Sequence, residues 1–383
     1  MIITNIRLKN WKNFGEVNAD CGKRVFLIGP NASGKSNFLD VLRFLRDVAQ
    51  DGIKKAVAAR GGMKAVRYLC ARQQTDVGIF VRLDDTWEYE LSFNSDSKGA
   101  PKIKKEHVVL LKNGERDKLL QRPDKDDRQD EMRLTQTALE QVNANKKFRE
   151  IADFFSSIQY RHILPQIVRD PKNFSPQPIK SDPFGRDLVS QIWNTPAKIR
   201  DARLKKINEA LSIAVPQLNN LAVEQDKATG LPHLKVNYAH WRTHGAYQNE
   251  ASFSDGTLRL LALLWSIFDA QGPLLLEEPE LSLHVGIVSQ LPDIFANLDK
   301  DRKKAVRQIF ITTHSEAMLN IPGIGANEVL RLEADAEGTK IHTADALDAK
   351  AMEDGLTAAD VLLPKTRYNG IEKLSQFSLK ALP

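Results

Sequence analysis

Eight consecutive residues, Gly29, Pro30, Asn31, Ala32, Ser33, Gly34, Lys35 and Ser36, match the spacing G-x-x-x-x-G-K-[ST] with no mismatch. Glycines at the first and sixth positions let a backbone curl so that successive N–H groups turn inward toward phosphate oxygens. A helix starting at the end of such a loop adds partial positive charge. Lys35 would reach the β- and γ-phosphates of a nucleoside triphosphate, and Ser36 would ligate Mg²⁺. The binding set expected for ATP and Mg²⁺ runs from Gly29 through Asn37.

Three further groups have chemistry-bearing spacing. The run "GPLLLEEPELSLH" delivers Glu277 and Glu278 to the end of a short apolar stretch. Adjacent carboxylates there can divide the labour, one toward a Mg²⁺ shell and one polarising an attacking water. The run "RQIFITTHSEAML" ends a second apolar stretch at Thr313-His314-Ser315, where His314 could sense a phosphate at the same sheet edge. In "ASFSDGTLRLLALLWSIF", Ser254 and Gly256 precede a strongly apolar helix. Ser254 fits an ordinary N-cap, and the free N–H groups there also suit an anion.

The elements that must position these residues follow from periodicity. "KRVFLI" reads as a buried strand and "SNFLDVLRFLRDV" as a helix, so the glycine-rich loop sits between strand and helix as it must. "DVGIFVRLDDTWEYELSF" reads as a hairpin and "KIKKEHVVLLK" as a third strand. The mixed-charge residues 113–131 are expected to form a mobile loop. "TQTALEQVNANKKFREIADFFSSI" reads as helix, and the Pro-rich "LPQIVRDPKNFSPQPIKSDPFG" as irregular structure. "AKIRDARLKKINEALSIAV" is an amphipathic basic helix whose cations face either solvent or nucleic acid. "DGLTAADVLL" reads as a capped helix. These elements divide into residues 1–95, an insertion at 96–250 and a closing part at 251–383.

Composition narrows the class. The chain has 383 residues, 42% hydrophobic and 27% charged, with net charge +6. Its pI near 9.1 is compatible with nucleic acid. Cys21 and Cys70 are the two cysteines, giving neither a disulfide framework nor metal-ligand spacing, so a reducing cytoplasm is expected. Neither a signal peptide nor a membrane span is expected. No long heptad run is present, which favours a compact helical or mixed lid over a coiled-coil arm.

Taken in order, the loop, a long insertion, the S-x-G helix start, the strand with Glu-Glu-Pro-Glu and the strand ending Thr-His-Ser resemble the ABC-type ATPases of the SMC/RecF group. The likeness is to small bacterial predicted ATPases of the AAA type, and to the ATPase half of OLD-family proteins. "IRLKNWKNFGE" is similar to the opening strand and turn of that group. The resemblance covers residues 1–50 and 250–335. It implies an α/β P-loop NTPase with a mixed sheet, a strand-rich N-terminal lobe and a helical or mixed insertion. By the same resemblance, Glu278 matches the catalytic glutamate, Glu277 the Mg²⁺-side position (usually Asp) and His314 the switch histidine. Ser254 and Gly256 match the signature that contacts a nucleotide held by a second copy, while Lys12 and Asn13 fall where the group contacts its nucleotide. Asp255-Gly256-Thr257 departs from the Gly-Gly-Gln of transporter signatures. For the Q-loop, Gln73 and Gln74 are candidates, and an exposed polar loop explains them equally well. The implied activity is Mg²⁺-dependent ATP binding and hydrolysis, with ATP-driven pairing of two heads that regulates a separately encoded effector, in anti-phage defence or DNA maintenance. The short part after "EVLRL" leaves no room for the nuclease domain OLD proteins carry, which favours such a partner. The alternative is a self-sufficient RecF-like repair ATPase with nucleic acid as its partner. A transporter subunit is disfavoured by the EEPE segment, the SDGT signature and the large insertion.

Overall fold

The strand expected at residues 23–28 spans Arg24–Ile28 in the computed structural model, which describes residues 1–71, 75–112, 114–171, 182–239, 246–269, 272–297 and 307–367. Gln73 and Gln74 lie outside the described residues. The chain forms two units, Met1–Ser156 with His314–Pro383, and Ser157–Thr313. No helix among the described residues is long and apolar enough to cross a membrane.

The first unit contains an antiparallel sheet of six strands in the order Phe14–Asp20, Ile3–Trp11, Val77–Leu83, Trp87–Ser95, Pro101–Lys112 and Glu115–Arg122. "VGIFVRL" shows why: its buried and half-exposed residues alternate along the strand, as period-2 burial requires. The expected hairpin and third strand are both present. Against this unit's core lies the helix Lys35–Asp51, which buries Phe38, Val41, Phe44 and Leu45. Phe44 packs between Trp11 and Phe93, at centroid distances of 5.1 and 5.5 Å. The Trp11 indole N–H donates to the Asn37 carbonyl at 3.0 Å. The first strand is thereby tied to the start of the helix.

The same unit holds a mixed sheet segment. Arg24–Ile28 runs parallel to Val329–Asp335, which turns back antiparallel as Gly338–His342. A Thr357 cap starts the helix Ala358–Val361, within the stretch read as helix.

Two expectations in this unit are corrected. Residues 114–131, the described part of the stretch 113–131 read as a mobile loop, are not one. They supply the strand Glu115–Arg122 and the helix Lys125–Gln129. The cause is a buried charge network that no local pattern displays. Arg122 donates to Asp127 at 2.9 and 3.0 Å and to Glu106 at 3.1 Å. Glu106 also accepts the backbone N–H groups of Ala138 and Leu139 at 2.7 and 3.0 Å. The stretch read as one helix from residue 135 is helical only at Arg149–Ser156, after a short 3₁₀ turn at Lys146–Phe148. Before it, polar side chains bind backbone instead: Asn145 donates to the Leu139 carbonyl at 2.9 Å, and Glu140 accepts the Ile53 N–H at 3.0 Å.

The second unit is built on three parallel strands, with Leu274–Glu277 between Gln159–Arg161 and Ile309–Thr312. Its other elements include an antiparallel sheet of Leu218–Gln225, Pro232–Tyr238 and Ala246–Gln248. The basic helix spans Ala197–Ala214 and buries Leu204, Ile207 and Leu211. The apolar helix spans Asp255–Phe268. In the segment read as irregular, Pro165–Arg169 is helical.

Candidate functional site

In the first unit the chain leaves the strand at Ile28 and enters the loop through Gly29. A Cβ on Gly29 would meet the Leu332 carbonyl oxygen at 2.6 Å, so only glycine fits there. Gly34 has φ +96°, and a Cβ on it would lie 2.1 Å from Asn13 Nδ2. Between them Ala32 also has a left-handed φ of 62°. These conformations curl the loop, and the helix begins at Lys35. The first-turn N–H groups of a helix lack partners within it and favour anions.

Lys35 is buried and its ammonium bridges the loop, donating to the Gly29 and Pro30 carbonyls at 2.9 and 3.0 Å. Ser33 Oγ is buried without a hydrogen-bond partner. Ser36 is exposed at the start of the helix. A curled backbone, a helix start, a tethered cation and an unsatisfied hydroxyl together fit a triphosphate. A cavity of about 640 Å³ opens beside the loop, lined by Gly29, Pro30, Asn31, His314 and Glu316, with Ala359, Asp360, Leu363, Pro364, Thr366 and Arg367. His314 is exposed there, so the structure places it with the loop.

Lys12 and Asn13 are engaged with the loop and its helix. Asn13 Nδ2 donates to the Ser33 carbonyl at 3.3 Å and to Thr339 Oγ1 at 2.6 Å, while its Oδ1 accepts from Asn37 Nδ2 at 2.7 Å. Thr339 Oγ1 donates to the same Ser33 carbonyl at 2.9 Å, and its N–H binds the Asn13 carbonyl at 2.8 Å. Thr339 was invisible to motif reasoning because it acts through one hydroxyl on a distant hairpin. Lys12 Nζ lies 2.7 Å from Asp40 Oδ2, and Arg60 binds the same carboxylate at 2.9 Å. Burial opposes ionisation of Asp40, but Arg60 and Lys12 together hold its carboxyl below the usual range.

The second unit holds the other predicted residues. Leu274, Leu275 and Leu276 are buried and Glu277 is half-buried at the strand end. The Tyr160 hydroxyl donates to Glu277 Oε2. Glu278 follows with φ 43°, a left-handed backbone on a residue other than glycine. Its N–H donates to the Thr312 carbonyl at 3.1 Å and to Thr312 Oγ1 at 3.2 Å. Its carbonyl accepts from Arg259 Nη1 at 3.3 Å.

Ser254 is the N-cap, its Oγ accepting the Thr257 N–H at 3.2 Å. Asp255 binds Arg169, which also donates to the Phe253 carbonyl at 2.7 Å. A Cβ on Gly256 would meet the Ser282 carbonyl oxygen at 2.7 Å. The absence of a side chain therefore lets the helix start press against the loop that follows Glu278. Arg259 lies one turn into that helix and is 4% exposed. Burial pulls its guanidinium pKa below the ordinary value, opposed by Glu280, Asp255 and Glu278. Sequence reasoning missed Arg259, which looks like one charge in an apolar helix. Among the described residues no cluster of three or more His, Cys, Asp or Glu side chains is poised for a metal. A nucleotide-bound Mg²⁺ needs none, since phosphates and waters supply most of its ligands.

The comparison with curated proteins finds no match. Among solved structures, one described as the SmcHead bound to the C-winged helix domain of ScpA matches at TM-score 0.53 and 16% identity, covering 92% of this chain and 100% of that chain. An Smc head with an extended coiled coil, bound to the C-terminal domain of ScpA and derived from Pyrococcus furiosus, has TM-score 0.49 and 12% identity over 92% and 98%. The SMC head domain from Thermotoga maritima has TM-score 0.43 and 12% identity over 90% and 100%. The first likeness shows the mixed α/β fold of an Smc head. A family model described as "AAA domain, putative AbiEii toxin, Type IV TA system" matches residues 24–320, and the chain belongs to that family.

Proposed function

We propose that the chain is a Mg²⁺-dependent ATPase, and that ATP-driven pairing of two copies regulates a separately encoded effector in bacterial defence or DNA maintenance. Gly29 to Asn37 hold the triphosphate, with Lys35 as the fixed cation on its outer phosphates. Ser36 and Glu277 are the protein ligands for Mg²⁺, which when bound neutralises charge on the phosphates. Glu278 polarises the attacking water, and His314 responds to the phosphate being released. Ser254 and Gly256 meet the nucleotide of the second copy. Lys12 and Asn13 serve the nucleotide indirectly, by holding the loop and its helix.

The hydrolytic part rests on the Glu278 backbone. A left-handed conformation on a non-glycine residue is costly, and such residues concentrate at functional sites. The effector reading is favoured over direct nucleic-acid binding by the basic helix. Arg200 pairs with Asp201 at 2.8 Å, Lys206 with Glu209 at 3.1 Å, and Arg203 lies 5.2 Å from the Trp265 ring. Those cations are answered within the chain. A head of this fold solved with a domain of ScpA supports a protein partner.

Phosphate release by the purified chain, with calorimetric ATP binding, tests the reading. Glu278→Gln should keep ATP affinity, accumulate ATP-dependent pairs by light scattering and lower turnover on the order of 10²-fold. An undiminished rate in that variant would refute the assignment.

A further inference from the structure

The catalytic role given to Glu278 depends on where its carboxylate points, and its backbone dihedral sets that direction. A left-handed residue other than glycine stays in place only where its surroundings fix it. Here the peptide groups on both sides of Glu278 are held. On one side Thr312 takes the N–H through both its carbonyl and its hydroxyl, at 3.1 and 3.2 Å. On the other side the carbonyl is held by the guanidinium of Arg259, at 3.3 Å.

Arg259 is an unusual residue for that task. It is charged yet 4% exposed, and its Nε is buried without a hydrogen-bond partner. A buried guanidinium carries a large desolvation cost. The carboxylates around it are Asp255 on its own helix, and Glu278 and Glu280 on the facing loop. Glu280 is itself engaged by Thr313 Oγ1 at 2.6 Å. The guanidinium therefore sits where the helix start meets the loop after the carboxylate strand, the same meeting that brings Gly256 against the Ser282 carbonyl.

We propose that Arg259 is a positioning residue: it clamps the Glu278 carbonyl, holds that residue left-handed and so aims its carboxylate. The proposal rests on the ATPase reading above. Once the clamp is gone, the backbone at Glu278 is free to relax toward an ordinary region, and the carboxylate swings with it. Misplacement of a reacting group by about 1 Å costs on the order of 10²-fold in rate. Binding of ATP at Gly29 to Asn37 does not pass through Arg259.

The test compares wild type, Arg259→Met, Arg259→Lys, Glu278→Gln and the double variant Arg259→Met/Glu278→Gln. Steady-state and single-turnover phosphate release are measured alongside ATP binding and thermal melting. Arg259→Met should lower kcat about tenfold or more, with KM and ATP affinity within about twofold of wild type. Arg259→Lys, which keeps a donor of nearly the same reach, should fall between Met and wild type. The double variant should turn over no more slowly than Glu278→Gln alone, because the arginine acts through that carboxylate. Arg259→Met at the wild-type rate overturns the proposal. So does a parallel loss of kcat and ATP affinity that multiplies the Glu278→Gln defect, since that marks a general packing role. If Arg259→Met does not fold, Arg259→Gln decides, since its amide is too short to reach the Glu278 carbonyl, and its full wild-type rate overturns the proposal. If Glu278→Gln itself hydrolyses ATP at the wild-type rate, the catalytic assignment of Glu278 fails, and the clamp that acts through it is overturned with it. If Glu278→Gln is slow and Arg259→Met is not, only the clamp fails.

Discussion

Replacing Thr339 by valine removes one hydroxyl from the brace behind the phosphate loop and keeps a β-branched shape suited to its strand. The hydroxyl donates to the Ser33 carbonyl at 2.9 Å and accepts from Asn13 Nδ2 at 2.6 Å. Both bonds are largely shielded, with Thr339 4% exposed and Ser33 fully buried. Each is worth about 1 kcal/mol net, so the substitution removes about 2 kcal/mol from the braced loop. The Thr339 N–H still binds the Asn13 carbonyl at 2.8 Å, so the hairpin stays attached. If the whole loss falls on the competent loop conformation, ATP affinity drops by about 30-fold. Calorimetric titration with ATP and Mg²⁺ reads that number, and Thr339→Ser, which restores the oxygen, should recover most of it. Equal ATP affinity for valine, serine and wild type would refute the brace. So would an affinity loss of the same size in serine.

Two further outcomes follow from geometry. Gly256→Ala drives a Cβ to 2.7 Å from the Ser282 carbonyl oxygen, a backbone atom. It should cost about 1–3 kcal/mol and slow hydrolysis, and unchanged melting with an unchanged rate would contradict that contact. Asp40 has a depressed folded-state pKa, so its stabilisation is present above its ordinary 3.8 and lost as pH falls through the folded value. The stability gap between wild type and Asp40→Asn should therefore be full near neutrality and close in acid, and a gap independent of pH in denaturant titrations would exclude the Lys12–Asp40–Arg60 cluster as its source.

The loop around Lys35 was legible because its requirements are local: glycines, a cation and a hydroxyl within eight residues, a β-rich run before and a helical period after. Ser254 as N-cap was legible for the same reason. What escaped reading is tertiary. The charges of residues 113–131 say nothing about Arg122 finding Glu106 and Asp127 in a buried site, so a run that pairs internally reads as solvated. "TQTALEQVNANKKF" has helix-forming content, but Glu140 and Asn145 bond to backbone and end the period. Arg259 and Thr339 each act through one atom on a partner far away in sequence, and neither lies in a motif. Lys12 and Asn13 were assigned by resemblance alone, and their side chains bond to Asp40, Ser33, Thr339 and Asn37 beside the loop.

The bond from Thr339 to Ser33 closes a chain separation of 306 residues. On a ribosome adding about 5–20 residues per second, roughly 15–60 s pass between synthesis of the loop and synthesis of its brace. During that interval the loop and its helix exist without the hairpin that shapes them, and the Asn13 side chain lacks its Thr339 partner. On the proposed reading, full nucleotide affinity is therefore acquired late in synthesis, once residue 339 has left the ribosome and the brace closes on a loop made long before it.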